Sequence, residues 1–442
     1  MKSFDLVKNF FLFLLTFIII DLSPFLLSKI QPDSTDYLNF HPTRQTTYYI
    51  LIQTLEFLKI DLIFFQKLFL SISITALFYL IKKKTNIFFS IAAYLFIISN
   101  VYYTSFSKTI LTEVFFFSFI NLAIFFMFDL KKKYNLIFFS FCCGMISALK
   151  PIGVPVALIF IIIGLIQVRR INQFFLIFIF FLTPNIIESL FFYSNFSKRE
   201  TVFKHSVAGK LFILSGKDSF EIKNYPGNLR QLLLASKAEF KPIHRYLDNI
   251  DNIFLKSELL SDYEVVAQFQ TFNFESVKKI NFDRQIIFDN SLTIFFEVIR
   301  NNLTDYLKLS FSHYLGSWSI GAKVRFLEKN SSEIPKYEEL KLSSGPMNLP
   351  DLKLIELAQY FFLVLLFILT FYSLIFCLSL LGIIKKKLDF QIFSIVFLIQ
   401  SYLILVCFTN VSTPRYLMPI YTILIILLID FLSNIQKIIK KY

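Results

Sequence analysis

Apolar runs of about 20 residues recur along this chain, the length at which a helix crosses a bilayer core of roughly 30 Å. Ten such runs are marked at 6–28, 61–81, 86–104, 109–129, 134–149, 152–168, 172–193, 357–384, 389–409 and 416–436. With 55% hydrophobic residues and 59 Phe among 442 residues, a water-soluble chain could not hide its apolar surface in one core. The expected fold class is an all-α polytopic membrane protein of about ten transmembrane helices. A stretch of mixed polarity between the seventh and eighth spans is expected to form a separate insert. The division is then 1–193 (spans one to seven, with a first external loop at 29–60), 194–356 (the insert) and 357–442 (spans eight to ten).

The formal charge of +14 could suggest nucleic acid, but its placement argues otherwise. Residues 196–355 hold 22 Lys/Arg against 19 Asp/Glu, nearly balanced. The excess lies in short clusters between apolar runs: Lys82-Lys83-Lys84, Lys131-Lys132-Lys133, Arg169-Arg170, Lys385-Lys386-Lys387 and Lys437/Lys440/Lys441. Such clusters mark cytoplasmic loops. A cytoplasmic amino terminus puts every one of them on the same side, and the carboxyl terminus with them. The Phe/Ile/Lys/Asn-rich composition suits an AT-rich bacterial genome, so a bacterial inner membrane is expected. The first run lacks an Ala-x-Ala-like cleavage site and reads as a retained helix. Cys142, Cys143, Cys377 and Cys407 are dispersed within apolar runs, which is neither a disulfide framework nor a zinc site.

Local signals refine this outline. Lys150-Pro151, with Gly153 and Pro155 close by, separates two short runs and suggests broken or re-entrant helices. Thr43 to Ile60 places Tyr48, Leu51, Ile52, Leu55 and Leu58 at helical spacing, as in a helix lying in the membrane interface. The insert carries amphipathic stretches near 228–240 and 288–315, and Tyr306, Phe311, Tyr314 and Trp318 suit an interfacial position. His41, His205, His244 and His313 have no metal-ligand spacing and read mostly as surface residues. Carboxylates alone can hold a divalent metal, although no cofactor or metal is indicated.

Four stretches carry groups suited to chemistry. Asp33 and Asp36 follow the first run; each could take a proton from a hydroxyl, or could simply cap the next helix. Thr109, Thr112 and Glu113 share one helical face, and Glu113 then enters an almost wholly apolar run. Its plain structural role would be a salt bridge to Lys108. Lys150 could hold a phosphate or could snorkel to headgroups. Arg415, just before the last run, is suited to bidentate phosphate contact or to anchoring a helix end. On the expected topology all of these lie on the external face.

Taken together, these stretches resemble the type-C (GT-C) superfamily of integral membrane glycosyltransferases, which includes protein O-mannosyltransferases and lipid A aminoarabinose transferases. Pro32-Asp33-Ser34-x-x-Tyr37 resembles its acidic first-loop signature, with Ser where Glu is common. Leu111-Thr112-Glu113-x-Phe115 is similar to its glutamate segment. Ala148-Leu149-Lys150-Pro151-x-Gly153 resembles its basic-Pro-x-Gly turn, with Lys in place of Arg, and Arg415-Tyr416-x-x-Pro419 resembles its Arg-Tyr-x-x-Pro segment. The likeness covers spans one to seven and the last helix, not the insert.

The resemblance implies transfer of a sugar from a polyprenyl-phosphate donor to a lipid, glycan or protein acceptor, with inversion and without nucleic acid. It implies Asp33, ahead of Asp36, as base and Glu113 as a further catalytic carboxylate. It assigns Arg415, Lys150, Lys108, Tyr37 and Tyr416 to the substrate and its phosphate. Two other readings compete. An O-antigen polymerase or ligase would rely on insert arginines such as Arg230, Arg245 or Arg284. A lipid-linked sugar carrier would show repeated halves, which the chain lacks.

Overall fold

The computed structural model describes residues 3–24, 29–31, 33–168, 170–199, 203–319, 323, 330–343, 352–383, 389–410 and 414–440. Pro32, Arg169, Ser412, Thr413, Lys385 to Lys387 and Lys441 lie outside the described residues. The described residues are helical, with no strand among them. In chain order the helices are α1 (Ser3–Leu22), α2 (Ser34–Leu38), α3 (Thr46–Phe57), α4 (Leu62–Lys84), α5 (Ile87–Ser99), α6 (Val101–Ser105), α7 (Glu113–Met127), α8 (Lys133–Leu149), α9 (Gly153–Gln167) and α10 (Ile171–Asn195). The insert contributes α11 (Phe203–Ser215), α12 (Gly227–Asp248), α13 (Ile253–Gln270), α14 (Glu275–Lys278), α15 (Arg284–Asp289), α16 (Ser291–Ser317) and α17 (Tyr337–Ser343). Three long helices close the chain: α18 (Leu352–Leu380), α19 (Phe390–Thr409) and α20 (Met418–Ile439).

Each of the ten apolar runs contains a helix, but among the described residues five stretches are long and apolar enough to cross a membrane: Leu62–Lys84, Ile171–Asn195, Leu357–Leu380, Phe390–Thr409 and Arg415–Ile439. The third run is not one straight span, because it bends by 58° at Asn100. Asn100 adopts an extended conformation there, and its side chain accepts from Tyr103 N at 3.0 Å, capping a new helix. Counting that bent pair as one crossing gives six. Helices α7, α8 and α9 have 15, 17 and 15 residues, too short at 1.5 Å per residue for a full core. Pro151 separates the last two, as its ring requires.

Two cores hold the chain together. The first gathers the apolar helices α1 and α4–α10 with α18–α20, and the second belongs to α11–α17. Phe175, Ile179, Leu182, Ile186 and Leu190 form an exposed stripe at helical spacing along α10, a surface that suits lipid and not water. Inside the first core, Asn121 on α7 donates to Ser73 at 3.2 Å and Tyr103 at 3.1 Å and accepts from Thr422 on α20. One fully used amide thus sets α20 against α7.

Several expectations change on contact with the tertiary structure. Helix α3 forms, but Tyr48, Ile52 and Leu55 are buried against protein instead of facing lipid, because α4, α8 and α10 reach it first. Trp318 and Tyr306 are 1% exposed, in the first and second core respectively, so neither is interfacial. His313 is fully buried against Glu264 and is no surface histidine.

Gly153 begins α9 where the chain turns back from α8. A Cβ there would collide with the Ile146 carbonyl and come within 3.1 Å of Phe116, so no side chain fits. Gly153→Ala is expected to cost about 1–3 kcal/mol, read as a lower unfolding midpoint in detergent. An unchanged midpoint would show that the turn is slack.

In the insert, burial pushes Glu258 on α13 up to about 7, with Asp262 reinforcing this and Lys323 opposing it. The folded chain therefore holds that proton above the ordinary value of 4.5. Its contribution to stability is complete below the ordinary value and fades as pH rises through the folded one. Between about pH 5 and about pH 8, Glu258→Gln is expected to flatten this fall in unfolding midpoint. An equal slope in both proteins would remove Glu258 as the cause.

Candidate functional site

The first loop is tied to the segment before α7 by short bonds. Ile110 N donates to Lys29 O at 2.9 Å, and Ser34 Oγ donates to Ile110 O at 2.8 Å. Gln66 on α4 also holds this segment, through Thr109 O at 2.7 Å. Tyr37 is buried on α2, with its hydroxyl 3.3 Å from Thr112 Oγ1. These contacts bring the Asp33 loop over the amino-terminal end of α7, where Glu113 sits.

Glu113 is 1% exposed and meets two cations. Lys150 Nζ lies 2.8 Å from its Oε1, delivered by the turn that Pro151 and Gly153 create. Arg415, on the turn at 414–417 before α20, pairs with the same oxygen. Arg415 also reaches Asp33 Oδ2, at 3.3 and 3.4 Å. Asp33 in turn accepts from Arg44 Nη2 at 2.7 Å, and Asp36 accepts from Arg44 at 2.9 and 3.1 Å. The result is an alternating chain: Lys150, Glu113, Arg415, Asp33, Arg44, Asp36. Three carboxylates face three cations, so the resting site is close to neutral.

Exposure is uneven along this chain. Glu113 is sealed, whereas Asp33 and Arg415 are each about one-third exposed, at 32% and 33%. Burial pushes Asp33 up, but Arg415 and Arg44 outweigh it and hold its carboxyl below the usual aspartate range. Burial lowers Lys150 below the ordinary lysine value, with Glu113 pulling the other way. Burial pushes the Tyr37 phenol up to about 12, so it stays protonated. Asp33 stands at the cap position of α2 but makes no capping bond; its carboxylate is given over to the two arginines.

Of the residues singled out in the sequence, Asp33, Asp36, Glu113, Lys150, Arg415 and Tyr37 are brought together. Tyr416 is held beside them, its hydroxyl accepting from Asn410 Nδ2 at 2.8 Å. Lys108 is not part of the cluster, and the expected Lys108–Glu113 pair gives way to other partners. Its ammonium caps the end of α1, donating to Asp21 O at 2.9 Å and to Ser23 O, where a helix leaves carbonyls unpaired. Arg44 was missed by sequence reasoning; its signal is an arginine eight residues beyond Asp36 in a loop otherwise read for acids.

No family model, curated protein or solved structure matches this chain. What it can do is read from the cluster itself.

Among the described residues no group of three or more His, Cys, Asp or Glu is placed to hold a metal ion. An apolar groove of about 510 Å³ lined by Ile19, Ala92, Leu95, Phe96, Ile98 and Ser99 includes none of the charged groups. Convergent charge, and not cavity volume, marks the site. A partly exposed arginine next to a partly exposed carboxylate can bind an anion and take a proton from a neighbouring hydroxyl.

Removing Glu113 would leave Lys150 and Arg415 facing each other without their shared carboxylate. Glu113→Ala is expected to cost about 3–5 kcal/mol, as for one partner of a buried ion pair. Asp36→Ala should stay within about 1 kcal/mol, since its carboxylate is partly exposed. Thermal unfolding of both variants in one detergent compares them; equal midpoints would mean that Glu113 is not the centre of the cluster.

Proposed function

We propose that this protein is a membrane glycosyltransferase that moves a sugar from a polyprenyl-phosphate donor to a lipid, glycan or protein acceptor. The observation that carries the reading is the Glu113–Arg415–Asp33–Arg44 chain, in which a partly exposed arginine and a partly exposed carboxylate lie in contact. Convergence of all four segments named for their likeness to the GT-C superfamily supports it. So does the exposure of Arg230 and Arg284 on α12 and α15, where the polymerase reading needs them at a site. In this reading the ten apolar helices are ten passages into or across a bacterial inner membrane. The termini are then cytoplasmic, and the insert and the cluster lie on the external face.

The geometry suggests an order of events. Arg415 holds Asp33 at 3.3–3.4 Å, a looser contact than Asp33 makes with Arg44 at 2.7 Å. A donor phosphate would take up the Arg415 donors and release Asp33 Oδ2. The acceptor hydroxyl then gives its proton to Asp33 while its oxygen bonds to the anomeric carbon. The bond from that carbon to the phosphate oxygen breaks, and the phosphate leaves with the electron pair. Arg415 and Lys150 stabilise the charge that builds on the phosphate, the term that weighs most in such a step. Glu113 keeps both cations aimed and needs no proton of its own.

The test is release of free polyprenyl phosphate from polyprenyl-phosphate sugar by membranes carrying the protein. At matched expression, Asp33→Asn and Arg415→Ala are each expected to lower turnover by about 100-fold or more. Activity in the parent with neither variant impaired would remove the two residues from the mechanism. No turnover in the parent, with host lipids supplied, would remove the single-sugar donor.

A further inference from the structure

We propose that Lys210 and Asn410 are positioning residues that make the placement of Tyr416 and Arg415 depend on the insert. The role given to Arg415 rests on the function proposed above; the coupling rests on separate contacts. The last carbonyls of any α-helix lack intrahelical partners and form the negative end of its dipole. At the end of α19 the insert supplies the partners. Tyr306 on α16 donates to Phe408 O, and Lys210 on α11 donates to Asn410 O at 3.2 Å. Ser206, one turn earlier on α11, donates to Asn410 Oδ1 at 3.1 Å.

The other half of the Asn410 amide points to the site. Its Nδ2 donates to the Tyr416 hydroxyl, and Tyr416 is the residue after Arg415. Asn410 is therefore gripped by the insert on one side and grips the arginine-bearing turn on the other. Lys210 is only 2% exposed, a costly place for an ammonium unless its charge is used. Glu264 on α13 answers it at 3.3 Å and binds His313 Nε2 at 2.6 Å, while His313 Nδ1 meets Ser261 Oγ at 2.8 Å. This polar run joins α13 and α16 to α11 inside the insert core and ends on Asn410. A unit that needed only to pack would close its core with apolar groups. The insert is thus linked, through one asparagine, to the turn that carries the cation proposed for the donor phosphate.

The experiment uses the full chain in membranes and reads Arg415 directly, as its rate of modification by phenylglyoxal followed by peptide mass spectrometry. Asn410→Ala is expected to speed that modification about five-fold, the factor that one lost hydrogen bond is worth. Lys210→Met paired with Glu264→Gln, which keeps the buried charge balanced, is expected to act in the same direction, and Lys210→Arg to stay near the parent. If the double variant fails to fold, Asn410→Ala still decides, because it leaves the Lys210–Glu264 pair in place.

In the turnover assay the same variants are expected to lower kcat/KM for the lipid-linked sugar about five-fold, since Arg415 both holds the donor phosphate and stabilises its leaving charge. A merely structural role would lower the amount of folded protein and leave both readouts of the folded fraction unchanged; that result overturns the proposal. If the parent turns over no donor while Arg415 is still modified faster in the variants than in the parent, the coupling stands and the transferase reading falls. Turnover with unaltered kcat/KM and unaltered Arg415 rate does the reverse.

Discussion

One buried carboxylate organises this molecule. Glu113 lies at the first turn of a phenylalanine-rich helix, where an unpaired charge would be prohibitive. Its survival there rests on two cations from distant parts of the chain, Lys150 from the turn before α9 and Arg415 from the turn before α20. One cation would neutralise Glu113; with two present the surplus positive charge is answered by Asp33, and without Glu113 the two cations would repel. The three segments therefore fold as one unit, and the fourth, the Asp33 loop, is drawn in because Arg415 has donors to spare.

The surrounding scaffold serves that arrangement by removing slack. Gly153 lets α9 start in contact with α8, which aims Lys150. Asn121 pins α20 to α7, which sets the height of Arg415 over Glu113. Ser34 and Lys29 bind the backbone of Ile110, which fixes the loop. The insert then reaches across to the end of α19 through Lys210, and Asn410 passes that contact to Tyr416 beside the arginine. Rigid placement of charge is what an electrostatic site requires, since reorganisation during reaction would cancel the gain.

Much of the candidate site was legible in the sequence because charged residues at the ends of apolar runs are few and conspicuous. Asp33, Glu113, Lys150 and Arg415 could each be named on that ground, and each belongs to the cluster. Lys108 was misassigned for an equally physical reason: sequence proximity to Glu113 suggested a pair, yet the end of α1 offered it unpaired carbonyls. Arg44 escaped notice because its meaning depends on where α2 turns the chain. The buried Lys210–Glu264–His313 run was invisible, since its members are 49 to 103 residues apart and have no spacing signature.

By itself, the sequence determined the helical class, the apolar runs and the identity of most of the charged groups, since length, hydropathy and proline placement act locally. Tertiary structure decided how many of those runs are long and straight enough to cross a bilayer, because Asn100 bends the third run in a way that a window average hides. It also decided that α3 lies on protein and that Trp318 is buried. Above all it decided which charges touch. Pairing is a matter of three-dimensional distance in a low-dielectric interior, where a few ångströms separate a costly ion from a satisfied one.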